Sequence, residues 1–222
     1  MSKNIVDIGK HAVDRAFSFL DNILNPPLKE VGLLAQDQVR YWRYKNQIRI
    51  LNRASDILQA NEINPRKVPV KTLAPLLKNG SMEEDENMQN RWAALLAKAA
   101  NPNYSLDFVT IFSEVLRQLS PVEVQILDLM YDAYLSTPTE KINDVIVNHG
   151  AIREIINTPP DEYVLLIQNL LRLNLARIHA QGVTFGLTAP KDDMKDLTRL
   201  SYYGVKFVEY CRTEGGIDSP AI

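Results

Sequence analysis

Cysteine is nearly absent: Cys211 is the single one in 222 residues. A lone thiol excludes a disulfide framework and a cysteine-rich zinc site, and it fits a reducing compartment. Histidine is scarce as well, and His11, His149 and His179 stand too far apart for metal-ligand spacing with one another or with Cys211. Charge of one sign is missing: 25 Lys+Arg oppose 27 Asp+Glu, so the chain as a whole has no pull toward nucleic acid or anionic lipid. No apolar run approaches the roughly 18 residues of a membrane span. Asp7, Lys10, Asp14, Arg15 and Asp21 interrupt the opening stretch and leave no signal-peptide core. The nine glycines form neither a dinucleotide-binding nor a P-loop pattern. These absences lead to the expectation of a cytoplasmic protein that is not an enzyme and holds no cofactor or metal.

What is present is apolar periodicity and punctuation. The chain is 45% hydrophobic, too rich for a disordered one, and long enough to bury roughly 70% of its unfolded surface. Residues 4–24 carry Ile5, Ile8, Ala12, Ala16, Phe19 and Ile23 at three- and four-residue steps, one apolar stripe of a helix. Asn25-Pro26-Pro27 ends it and opens another, because Asn caps well and proline suits the first helical position. From Leu28 to Ala60 runs a helix with two stripes. The first holds Leu28, Val31, Ala35, Val39, Trp42, Ile50, Ala54 and Ile57. The second holds Leu34, Tyr41 and Ile48 with Tyr44, Leu51 and Leu58. Apolar contact on two sides marks a central helix, with the alternative that the second stripe meets another copy.

A short helix is expected over 70–79, with Pro75 inside it and Asn79-Gly80 as its C-terminal cap. Ser81-Met82-Glu83-Glu84 reads as a capping box for the next helix, whose buried stripe is Met88, Trp92, Leu95, Leu96 and Ala99. Residues 105–119 repeat the theme with Val109, Phe112, Val115, Leu116 and Leu119. Ser120-Pro121-Val122-Glu123 is a second capping box, opening a helix to Leu135. A β-leaning segment 142–147, helices over 150–156 and 160–174, a hairpin over 176–188, a polar tip 191–196 and a final helix 200–212 follow. That order is winged-helix-like. The fold class expected is mainly α: a helical scaffold domain over 1–119 with one long central helix, a winged-helix-like domain over 120–213 with a small β-hairpin, and a frayed tail over 214–222.

Several stretches are familiar together. They are Val68-Pro69, Leu73-Ala74-Pro75-Leu76-Leu77, Met82 to Met88, Trp92 to Ala97, Asn101-Pro102, Phe108 and Leu116-Arg117-Gln118-Leu119-Ser120-Pro121. The closing run Leu200-Ser201-Tyr202-Tyr203-Gly204-Val205-Lys206-Phe207-Val208-Glu209-Tyr210-Cys211 joins them. In these the chain resembles the Abi-alpha (abortive-infection alpha) family of bacterial proteins, over most of residues 26–212. The resemblance implies a role in bacterial defence against phage and transfers no catalytic residue.

The residues themselves offer few chemical groups. Glu83 to Glu86 are explained by helix capping, and Asp192, Asp193 and Asp196 by a solvated tip. Cys211, among Phe207, Val208 and Tyr210, reads as a structural thiol. The most suggestive stretch is Arg40, Arg43, Lys45, Arg49 and Arg53 interleaved with Tyr41, Trp42 and Tyr44, the texture of a polyanion or partner surface. Internal salt bridges are the alternative for these cations, which spread around the helix. DNA binding by the C-terminal half is disfavoured, since residues 121–222 hold nine Lys+Arg against 14 Asp+Glu while residues 1–120 hold 16 against 13. The function expected is therefore a non-enzymatic anti-phage protein acting on protein partners, itself included as a homo-oligomer. A nucleic-acid-binding regulator using the basic helix is the alternative, and a membrane effector using the first amphipathic helix a lesser one.

Overall fold

The computed structural model describes residues 10–25, 38–137, 147–178 and 198–213. They form α1 (Lys10–Ile23), β1 (Leu24–Asn25), α2 (Gln38–Ala60), β2 (Val68–Pro69), α3 (Val70–Gly80), α4 (Glu86–Ala100), α5 (Leu106–Leu116) and α6 (Pro121–Ser136). After these come α7 (His149–Ile155), α8 (Pro160–Arg172), β3 (Ala176–Ile178), β4 (Thr198–Leu200) and α9 (Tyr202–Cys211). Among the described residues the fold is mainly helical, with two two-stranded sheets. β1 pairs in parallel with β2, Leu24 opposite Val68, and β3 pairs antiparallel with β4, Ala176 opposite Leu200. The chain divides into two compact units, residues 1–117 with 210–222, and residues 118–209.

In the first unit α4 is the centre, packed by α2, α3 and α5, while α1 packs on α2. α2, the long helix expected to be central, packs on α1, α3 and α4, and its described part also keeps an exposed side at Trp42, Arg49 and Asp56. Composition explains why α4 is the more deeply buried of the two. Ala93, Ala94, Ala97, Ala99 and Ala100 are all buried, and their small side chains let neighbouring helices approach α4 from every direction. Trp92, Leu95 and Leu96 fill what remains. Ala16, Phe19, Leu20 and Ile23 turn the stripe of α1 inward, which removes most of the apolar face a membrane-acting helix would need.

The start of α4 departs from the expected capping box. Ser81 is already occupied as the C-cap of α3: its amide donates to Leu77 O and its hydroxyl to Lys78 O at 2.8 Å. Asp85 caps instead, its carboxylate accepting from the Met88 amide at 2.9 Å. Gly80 is not a left-handed cap either. It is the last helical residue of α3, buried against Ile50 and Trp92. Asp85→Ala is expected to cost about 1 kcal/mol, read as a lower midpoint in urea denaturation.

In the second unit the box at α6 forms as expected. Ser120 Oγ accepts from the Glu123 amide, and Glu123 Oε2 accepts from the Ser120 amide at 2.8 Å. The buried Glu123 uses its other oxygen to accept from Asn169 Nδ2 of α8 at 2.6 Å, so one side chain closes a helix end and ties two helices. The strand partner of β3 is Thr198–Leu200, within what reads from sequence as the approach to a helix; α9 starts later, with Ser201 Oγ accepting from the Gly204 amide at 2.8 Å. The expected second hairpin strand (183–188), the polar tip, most of segment 142–147, residues 4–9 and 28–37, and the tail lie outside the described residues.

Candidate functional site

Along α2 the structure sorts the cations. Trp42, Lys45 and Arg49 recur at steps of three and four and so share one side of the helix. Trp42 is 39% exposed, Arg49 is exposed and Lys45 half-buried. Arg43 is half-buried a quarter-turn away. Arg53 donates to Glu86 Oε1 at 2.6 Å and so belongs to an ion pair. Arg40 lies on α2, but its side chain and that of Tyr41 are outside the described residues. No acidic residue occurs from 38 to 55, and Asp56, exposed one heptad after Arg49, pairs with Arg15.

The stripe considered for oligomer contact is corrected by burial. Ile48, Leu51 and Leu58 are each at most 5% exposed inside the first unit, so they pack within one copy. Tyr44 is half-buried, and burial pushes its phenol above the ordinary tyrosine value. It lines an apolar cavity of about 70 Å³ with Phe17, Leu20, Ile48, Leu73 and Leu77. Leu34 lies outside the described residues.

A second face lies on α5. Phe108 is 50% exposed and Ile111 46%, one helical step apart, with Asp107 and Glu114 bordering them. Both sit off the buried positions Val109, Phe112, Val115 and Leu116, and that displacement was the available signal. Phe108 is held from behind: its ring stacks on Phe112 at 6.2 Å and meets Tyr210 edge-on at 6.1 Å. Lys98 completes the support, its ammonium 5.0 Å from the Tyr104 ring and 5.8 Å from Tyr210. Glu114 is ion-paired at 3.1 Å with Arg117, the residue that caps α5.

Where they are described, the histidine, cysteine and carboxylates singled out from the sequence make the following contacts. His149 is buried, with Nδ1 2.7 Å from the Tyr163 hydroxyl and Nε2 2.9 Å from Thr198 O. A carbonyl can only accept, so Nε2 carries the proton and Nδ1 accepts from Tyr163; the imidazole links α7, α8 and β4. Cys211 is buried. Glu83 accepts from the Glu84 and Asp85 amides, and Asp85 caps α4. His179 and Asp192, Asp193 and Asp196 lie outside the described residues. Among the described residues no three His, Cys, Asp or Glu are gathered to hold a metal ion, and no helix is long and apolar enough to cross a membrane.

Comparison with curated proteins and with solved structures finds no match. Residues 38–211 match the protein family described as Abortive infection alpha. That range takes in α2 to α9, with the basic side of α2, the Phe108–Ile111 face and the closing helix quoted above. Covering most of the chain, the match shows that it belongs to the Abortive infection alpha family.

Proposed function

We propose that the chain is a bacterial anti-phage protein of the abortive-infection type that works through protein contacts and not through catalysis. The family match carries the defence part of this reading. The contact part is supported by large apolar side chains held at the surface beside charge: Trp42 with Lys45 and Arg49, and Phe108 with Ile111 between carboxylates. In this reading residues 1–119 are a scaffold that displays those faces. Residues 120–213 are a winged-helix-like module, supported by the order of α6, α7, α8, the β3–β4 pair and α9. The acidic balance of that module suits protein recognition better than DNA. Phage plating on cells with and without the gene tests the assignment. Reduced plaque formation by at least some of a broad phage panel is expected; equal plating throughout would remove it.

A nucleic-acid reading is kept for the basic side of α2 alone, because Trp42 stands exposed in a helix segment with five cations and no anion. It requires a mobility shift with DNA or RNA that weakens steeply with salt.

A further inference from the structure

In the first unit α1 and α3 both pack on α2, and the cavity of about 70 Å³ lies among the three helices. α1 lines it with Phe17 and Leu20, α2 with Ile48 and Leu51, and α3 with Leu73 and Ala74. The parallel pair of β1 with β2 ties the end of α1 to the start of α3, which fixes the spacing of those two walls. Water is a poor filling, because a buried water needs about two to four polar partners. Among the described lining residues only Tyr44 and Gln47 carry polar side chains. The space is also reachable: Val70 and Ala74 of the lining are exposed, and Phe17, Tyr44 and Leu77 are half-buried. Size then selects the guest. A cavity of about 150 Å³ takes a benzene ring. This one has less than half of that volume, which excludes a ring and admits a chain one carbon wide. At roughly 30 Å³ per carbon, the share of a water molecule, it holds two or three carbons.

We propose that this cavity binds the end of an unbranched hydrocarbon chain carried by a free, single-chain amphiphile such as a medium-chain fatty acid or alcohol. The terminal carbons would fill the space over Ile48 and Leu51, and the next ones would rest against Phe17 and Ala74 on the way out. The headgroup stays in solvent and is not selected by charge. Next in sequence to lining residues stand Lys45, Lys71 and Lys78, but also the exposed Asp21. A bilayer is the less suited source of the same chain. α1 turns Ala16, Phe19, Leu20 and Ile23 inward and so lacks the apolar outer face that lies on a membrane. α1 precedes the residues matched to the family, so the site is not a property that the match brings with it. With few carbons enclosed the binding is weak, and it tightens by about fourfold for each further carbon buried.

Calorimetric titration of the full chain with hexanoate, octanoate, decanoate and octanol, each below its micelle concentration, tests this. Saturable one-to-one binding is expected, tightening up to about fourfold per added carbon and levelling once the space and its mouth are filled. Octanol is expected to bind as octanoate does, since the headgroup is not read. Ala74→Phe puts a ring into the exposed end of the lining and is expected to weaken binding about tenfold or more. Ala74→Ser keeps the space and is expected to bind as the wild type does. Position 74 is exposed, and a circular-dichroism melt checks that both variants fold. A photoreactive alkyl carboxylate with a terminal diazirine, followed by peptide mass spectrometry, is expected to label α1, α2 and α3. Absence of saturable binding by both octanoate and octanol overturns the proposal. So does affinity that ignores chain length, affinity that survives Ala74→Phe in full, or labelling confined to other helices. Flotation with phosphatidylethanolamine–phosphatidylglycerol vesicles that is lost in Ala74→Phe overturns the free amphiphile in favour of a bilayer chain.

Discussion

Gly204→Ala is expected to destabilise the second unit by about 3 kcal/mol or more, reversing the ordinary helix preference for alanine. Gly204 lies in the first turn of α9, and an added Cβ there would sit 1.9 Å from the Leu175 carbonyl oxygen and 2.8 Å from its carbon. Both atoms are backbone. That carbonyl also accepts from the Ser201 amide at 3.0 Å, and Ala176 next to it opens β3. Neither side of the clash can yield without parting the helix start from the strand start. In an open helix the same replacement would gain about 1 kcal/mol, so the sign of the change is diagnostic. Denaturation monitored by circular dichroism decides it: a lowered midpoint or a lost transition is expected, and unchanged or raised stability would contradict the packing.

Trp92→Ala is expected to cost about 3–5 kcal/mol, the range for emptying a large buried site. The indole is 2% exposed in the middle of α4, and its inner atoms face Gly80 so closely that a Cβ there would come within 3.0 Å. Its Nε1 is buried without a hydrogen-bond acceptor, which makes Trp92→Phe much milder than the alanine change: it loses volume but also an unpaired N–H. Trp42→Ala is expected to change stability by less than about 0.5 kcal/mol, because that ring sits at the surface. The chain has two tryptophans, so fluorescence separates them: a soluble quencher should reach Trp42 and spare Trp92. Two equally quenched rings would contradict the assignment of core and face.

Helix starts were legible where local chemistry is self-contained. Ser120, Pro121 and Glu123 make the α6 cap from four consecutive residues, and Asn169 of α8 takes only the other Glu123 oxygen. Ser81 has the same sequence credentials and fails because α3 runs one residue further than its Asn79-Gly80 suggests, claiming Ser81 before α4 begins. α2 packs on three helices as its two stripes suggest, but the greater depth of α4 was less legible. Stripe counting rewards bulky residues, which favoured α2, whereas α4 reaches the middle through alanines that periodicity weighs little. β4 escaped because three residues are too few for an alternation signal, and its partner lies 20 residues earlier in the chain.

The candidate faces were partly legible. The basic and aromatic texture of 40–53 was visible, but only packing separates Arg53, ion-paired with Glu86, from the surface Arg49. Ile48, Leu51 and Leu58 show the opposite limit, since a second apolar stripe serves neighbours in the same copy as readily as another copy. Phe108 and Ile111 could have been found by asking which large apolar residues fall off the buried positions of α5. Asp107 borders them on one end, and the Glu114–Arg117 ion pair on the other.

The proposed defence role places the protective effect on surfaces and not on a reactive centre. Its most direct measurement is the efficiency of plating of a phage restricted by the wild-type gene, on cells expressing folded Lys45→Glu/Arg49→Glu or Phe108→Ser/Ile111→Ser at matched levels. Plaque numbers should return toward those of cells without the gene in both cases. Full protection by both variants would show that neither face is used and would contradict the account.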